Sequence, residues 1–201
     1  MQTQNQAAPG DLECVRRFIN TWLIPNQTRV ETDELPQLCH DAERWRDELS
    51  LRPPAASDTL DRLLTLRSDL RKSCEGLDDG GHLLNAWFSR VALSVQVKSV
   101  KGVPQIVVMP ADDSCSAHLL AAVANALSSG TWSRLKTCGD CRWAFYDNTR
   151  NVSKRWCGMT KGGAEGRACG TIAKVSAFRA RAAAKKSPVA ASGQLGLDEN
   201  V

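Results

Sequence analysis

Cys138-Gly-Asp-Cys141-Arg-Trp-Ala-Phe-Tyr-Asp147, followed by Lys154-Arg-Trp-Cys157 and Cys169-Gly-Thr-Ile-Ala-Lys174, decides how this chain is organised. The four cysteines read C-x2-C-x15-C-x11-C. Cys138 and Cys141 turn two thiolates to one side of a tight loop, the geometry of a metal knuckle. Cys157 and Cys169 complete a tetrahedron of soft donors that suits one structural Zn²⁺ and leaves no open position for a reacting ligand. Three other readings of the same residues compete: a disulfide pair, a redox C-x-x-C and an iron–sulfur site. A metal is useful here because residues 132–186 are too few to bury a large core. Ligation supplies on the order of 10 kcal/mol of folding free energy. Trp143, Phe145 and Trp156 flank the cysteines and are expected to pack a small apolar cover over the sulfurs; a base-stacking role is the alternative.

Working outward, charge follows the same boundary. Residues 1–133 hold 13 Lys/Arg against 17 Asp/Glu, whereas residues 134–186 hold 13 against 3, so the overall +4 hides a basic module behind an acidic body. The stretch from Ile172 to Lys186 is Ala-rich and carries Lys174, Arg179, Arg181, Lys185 and Lys186 without one acid, which predicts a basic helix. Arg150, Lys154 and Arg155 extend the patch on the preceding segment. Single-signed charge beside a zinc knuckle points to phosphate binding, hence to a polyanionic partner such as a nucleic acid. RNA, a protein partner or a merely solubilising helix are the competing readings.

The region before the knuckle predicts mostly helix. Helical spacing recurs from an Asp11 cap to about Ile24, over 35–49, over 59–74 after a cap at Ser57 or Asp58, and over 82–89. The alternation from Val91 to Met109, turning at Lys101-Gly102, predicts one β-hairpin. A helix over 115–127, capped by Asp113 or Ser114, follows. The fold class is therefore mainly α with a small hairpin (α+β): a helical domain over 11–131 and a treble-clef-like or ribbon-like finger over 132–186. Residues 1–10 and 187–201 are expected to be disordered or mobile. Cys14, Cys39, Cys74 and Cys115 occupy apolar helix positions and read as small buried hydrophobes. No apolar stretch approaches the roughly 20 residues of a membrane span. The polar start lacks the pattern of a signal peptide, so a cytoplasmic location and no membrane partner are expected. No nucleophile–base motif or Gly-rich phosphate loop stands out, so no catalytic residue is assigned and the chain is not expected to be an enzyme. Asn20, Arg67, Arg71 and Asn85 are the candidate lining of a ligand pocket in the helical domain, though capping or surface roles also explain them. A small-molecule binder or enzyme with a purely structural zinc site is the alternative function.

These residues resemble the CGNR-type zinc finger. The likeness is carried by Cys138-Gly-Asp-Cys-Arg-Trp-Ala-Phe-Tyr-Asp147, by Lys154-Arg-Trp-Cys-Gly-Met159 and by Cys169-Gly-Thr-Ile-Ala-Lys-Val175. Phe18-Ile-Asn-Thr21, Leu66-Arg-Ser-Asp-Leu-Arg71, Leu84-Asn85 and the hairpin are similar to the family's N-terminal ABATE-type domain. The resemblance spans about residues 12–186. It implies a bacterial, stress-related transcription regulator with a C-terminal DNA-binding finger, and a front domain that senses an effector or mediates association, with a homodimer as one outcome. Two features depart from the family pattern. Thr171-Ile172 stands where the motif has Asn-Arg, and the last two cysteines lie farther apart than usual, with 162–168 as an inserted loop.

Overall fold

The computed structural model describes residues 6–26, 28–100, 102–158 and 168–186. Residues 187–201, the expected tail, lie outside them, as do residues 1–5. The elements run α1 (Leu12–Ile19), β1 (Trp22–Leu23), β2 (Thr32–Asp33), α2 (Leu35–Leu38), α3 (Ala42–Leu49), α4 (Leu60–Cys74), α5 (His82–Phe88), β3 (Leu93–Val100), β4 (Val103–Pro110), α6 (Cys115–Ser128), β5 (Leu135–Thr137), β6 (Ala144–Tyr146) and α7 (Cys169–Lys186). Three antiparallel two-stranded sheets pair β1 with β2, β3 with β4, and β5 with β6. The class is α+β, as the sequence predicts.

Several expectations need correction. The first helix stops at Ile19, not near Ile24, because Thr21 turns its hydroxyl back to the Phe18 carbonyl at 2.8 Å and the next residues pair with β2. The expected helix over 35–49 is two pieces. Asp41 leaves the helical region and accepts from the Arg44 amide at 3.0 Å, which restarts the chain as α3. Within residues 6–10, expected to be loose, Ala8 is anchored: it is buried and its amide donates to Glu13 at 2.8 Å.

The caps show why the two longest front helices start where they do. Thr59, not Ser57 or Asp58, caps α4. Asp58 instead serves another helix. Its buried carboxylate accepts from the Cys115 amide at 2.7 Å, the Ser116 amide at 3.2 Å and the Ser116 hydroxyl at 2.6 Å. It therefore satisfies free N–H groups and the positive end of the α6 dipole together. Ser114 caps the same helix, with its hydroxyl 3.2 Å from the Ala117 amide. The β3–β4 hairpin pairs Val97 with Ile106 and turns through Gly102, whose φ of +80° favours glycine.

A single core joins what the sequence divides. Val15, Phe18 and Ile19 of α1, Leu63, Leu66 and Leu70 of α4, and Leu119, Leu120 and Val123 of α6 are all buried in one cluster. Leu135, Ala144 and Tyr146 of the β5–β6 hairpin lie in that same cluster. Cys14, Cys39 and Cys74 pack against it and Cys115 lies within it, as expected of small hydrophobes. Burial raises the pKa of all four thiols. Among the described residues no helix is long and apolar enough to cross a membrane.

Candidate metal centre and basic groove

The β5–β6 hairpin carries the knuckle at its turn. The Cys138 amide donates to the Trp143 carbonyl at 2.9 Å and the Arg142 amide to the Cys138 carbonyl at 2.9 Å, which closes the loop tightly. Arg142 sits at φ +61°, an uncommon conformation for a non-glycine residue that the turn imposes. Cys157 arrives on the following segment, held where the Gly139 amide donates to the Arg155 carbonyl at 3.2 Å. Cys169 is the first residue of α7, and the Gly170 amide reaches back to the Gly158 carbonyl at 2.9 Å. Knuckle hairpin, connecting segment and a helix that begins on the last cysteine give a treble-clef-like order.

The four sulfurs all lie within 4.8 Å of one another. Cys141 to Cys157 is 3.5 Å and Cys157 to Cys169 is 3.8 Å. A tetrahedral ion with metal–sulfur bonds of about 2.3 Å needs sulfur–sulfur edges of about 3.8 Å, so the donor set fits Zn²⁺. Cys138, Cys141 and Cys169 are buried, and Cys157 is half-buried. Phe145 is buried in the same cluster, with Trp143 and Trp156 against it, so these aromatics cover the sulfurs as the sequence suggests. The thiols share protons unequally. Hydrogen bonds from Cys141 and Cys157 pull Cys138 far down towards thiolate, while bonds with Cys138 and Cys141 push Cys157 up. Burial, then Asp140, raises Cys169. Zinc binding replaces these shared protons, so the site releases protons as it loads.

Asp147 was not assigned a role from the sequence, yet it builds the segment beside the knuckle. Its side chain is fully buried. It accepts from the Thr149 amide at 3.0 Å, the Thr149 hydroxyl at 2.6 Å, Lys136 Nζ at 3.0 Å and the Lys154 amide at 2.8 Å. Burial alone would raise its pKa; the bonds from Thr149 and Lys136 outweigh it and hold the carboxyl well below the usual range. The signal available in the sequence was an acid following an alternating aromatic strand in an otherwise basic segment.

That pinned segment and α7 form a groove of about 350 Å³ lined by Arg150, Lys154, Arg155, Trp156 and Lys174, together with Thr149, Asn151 and Ser153. Four of the predicted phosphate-binding cations thus meet at one place, and among the described residues its lining contains no acid. Lys154 also lies over the Phe145 ring at 5.4 Å. Arg179 and Arg181 are exposed farther along α7. Lys185 and Lys186 belong to α7, but their side chains lie outside the described residues.

Three of the four candidate pocket residues are tied to protein groups, although Asn20 also lines a cleft with Arg16, Glu48 and Trp143. Asn20 pairs with the finger: its Nδ2 donates to the Ala144 carbonyl at 2.9 Å and its Oδ1 accepts from the Ala144 amide at 2.7 Å. Arg67 makes a two-pronged ion pair with Asp33, at 2.6 and 2.5 Å. Arg71 donates to the Arg142 carbonyl at 2.6 Å, to the carbonyls of Ile19 and Trp22, and stacks on Trp22 at 4.6 Å. Burial pushes its pKa down to about 10, so it stays charged at neutral pH. Asn85 is exposed on α5. The first three are structural ties; two of them, Asn20 and Arg71, reach the knuckle hairpin directly.

Four convergent thiolates in a closed, aromatic-covered site at a hairpin and a helix start define a structural zinc finger. Residues 134–182 match the family model of the CGNR zinc finger. A comparison with curated proteins returns no match.

Proposed function

We propose that this protein is a transcription regulator that binds duplex DNA through the groove and α7. The observation that carries the reading is the convergence of Arg150, Lys154, Arg155 and Lys174 on one face, with no acid in the lining among the described residues. Zinc has no catalytic part in it: four protein thiolates leave no position for substrate. The metal fixes the hairpin to the start of α7 and so sets where the cations stand. The acidic front body is read as the part that senses a small effector or mediates association. A cleft of about 230 Å³ between α1, α3 and the finger supports the sensing role, since Arg16, Asn20, Glu48 and Trp143 meet there. In this reading the protein is a binder and not an enzyme.

The test uses the full, zinc-loaded chain, because the finger shares its core with the body. Anisotropy with a labelled duplex should show log Kobs falling linearly with log salt. Phosphate contacts from the four groove cations alone give a slope of about −3.6, and contacts from α7 steepen it. No binding at low salt with zinc present overturns the reading.

A further inference from the structure

α7 is about 27 Å long at 1.5 Å per residue. Its burial is concentrated in the first turn: Cys169 and Gly170 are buried and Ile172 and Ala173 half-buried, while Lys174 to Arg181 are all exposed. Within that exposed stretch Val175 is 42% and Phe178 68% exposed, an apolar pair one turn apart. At roughly 100° per residue, Lys174 and Arg181 border this pair on one side and Arg179 on the other. The helix therefore presents an apolar strip between two cationic margins, continuous through Lys174 with the basic groove.

A duplex major groove has the complementary layout. It is about 12 Å wide and admits a helix, phosphates line both rims, and the apolar group on its floor is the 5-methyl of thymine. We propose that α7 enters the major groove with Phe178, and Val175 beside it, packed on thymine methyl groups, which biases the protein towards sites containing T·A pairs. The inference rests on the DNA-binding reading. The cations on both margins, with no acid anywhere from Cys169 to Lys186, favour a polyanion over an apolar protein surface as the occupant.

The test compares the wild-type, zinc-loaded chain on an alternating A·T duplex and on the same duplex with uracil for thymine, which removes only the methyl groups. Wild type should lose about fourfold in affinity for each methyl contacted, the factor expected for burying one methyl-sized group. Phe178→Ala should bind the thymine duplex more weakly, lose less than wild type when uracil replaces thymine, and keep the wild-type salt slope, zinc content and melting temperature. Equal wild-type affinity for the two duplexes, with ordinary salt dependence, overturns this inference and leaves the DNA-binding reading standing. So does full thymine preference in Phe178→Ala. Absence of binding to either duplex at low salt overturns both.

Discussion

Replacing Asn20 by alanine tests whether the finger is built into the body or merely tethered to it. Asn20 ends α1, and its amide group satisfies both backbone groups of Ala144, at 2.9 and 2.7 Å. Ala144 is fully buried in β6, so water does not replace the lost partner. The two ends of the amide are not equivalent. Arg16 Nη1 lies 3.3 Å from the Ala144 carbonyl and already offers it a second donor. Nothing on Arg16 can accept from the Ala144 N–H, because a guanidinium only donates. The variant therefore loses one net hydrogen bond, about 1 kcal/mol, and orphans a buried amide at a further 1–3 kcal/mol. A cost of about 2–4 kcal/mol follows, or roughly 5–15 °C in melting temperature for a chain of this size.

The assay is denaturant unfolding of zinc-loaded protein at fixed free zinc, since bound metal shifts stability by mass action. Zinc transfer to a chelator should also quicken in Asn20→Ala, because the lost bonds hold the hairpin that carries Cys138 and Cys141. Asn85→Ala is the control: exposed on α5, it should stay within about 0.5 kcal/mol of wild type. If Asn20→Ala costs no more than Asn85→Ala, the amide pairing contributes nothing and the reasoning fails.

Other consequences are checked more simply. Metal analysis should find one zinc per chain, lost in Cys138→Ser and Cys169→Ser but retained in Cys115→Ala, whose thiol lies in the front core. Arg155→Gln and Lys174→Gln should each reduce the salt slope of DNA binding by about 1, measured by anisotropy, if each cation meets one phosphate. Asp33 titrates below its ordinary value: burial pushes its pKa up, but the Arg67 pair outweighs that. Its folded pKa is depressed, so its contribution is complete above the unfolded value of about 3.9 and fades as pH falls below that. Asp33→Asn should therefore differ most from wild type near neutral pH and converge with it below about pH 4 in denaturant midpoints compared at matched pH.

What the sequence made legible depends on how local each interaction is. The C-x2-C knuckle, the aromatic cover and the basic helix are patterns of residue type over short spans, and the structure has them where the spacing predicts. The β3–β4 hairpin was readable because alternation and Gly102 are local too. Helix ends were less legible. Asp58 has the right chemistry to cap a helix and does so, but for α6, some 57 residues on, while Thr59 serves the helix beside it.

The partners of Asn20, Arg67 and Arg71 were not legible for a related reason. A buried amide or guanidinium signals that a polar partner exists, and a small-molecule ligand is one such partner. For Asn20 and Arg71 the finger partner is instead a main-chain group, Ala144 or Arg142, more than 70 residues away. Every residue has a carbonyl, so nothing in residue type marks Ala144 as the acceptor. These ties bear on the domain boundary placed near residue 131. Leu135, Ala144 and Tyr146 complete the front core, and Asn20 and Arg71 lock the same hairpin by its backbone. The hairpin thus belongs to the body by its packing and to the metal site by its turn. A perturbation in α1 or α4 is therefore expected to reach Cys138 and Cys141 through β5 and β6, and the rate of zinc transfer in Asn20→Ala is the measurement that registers it.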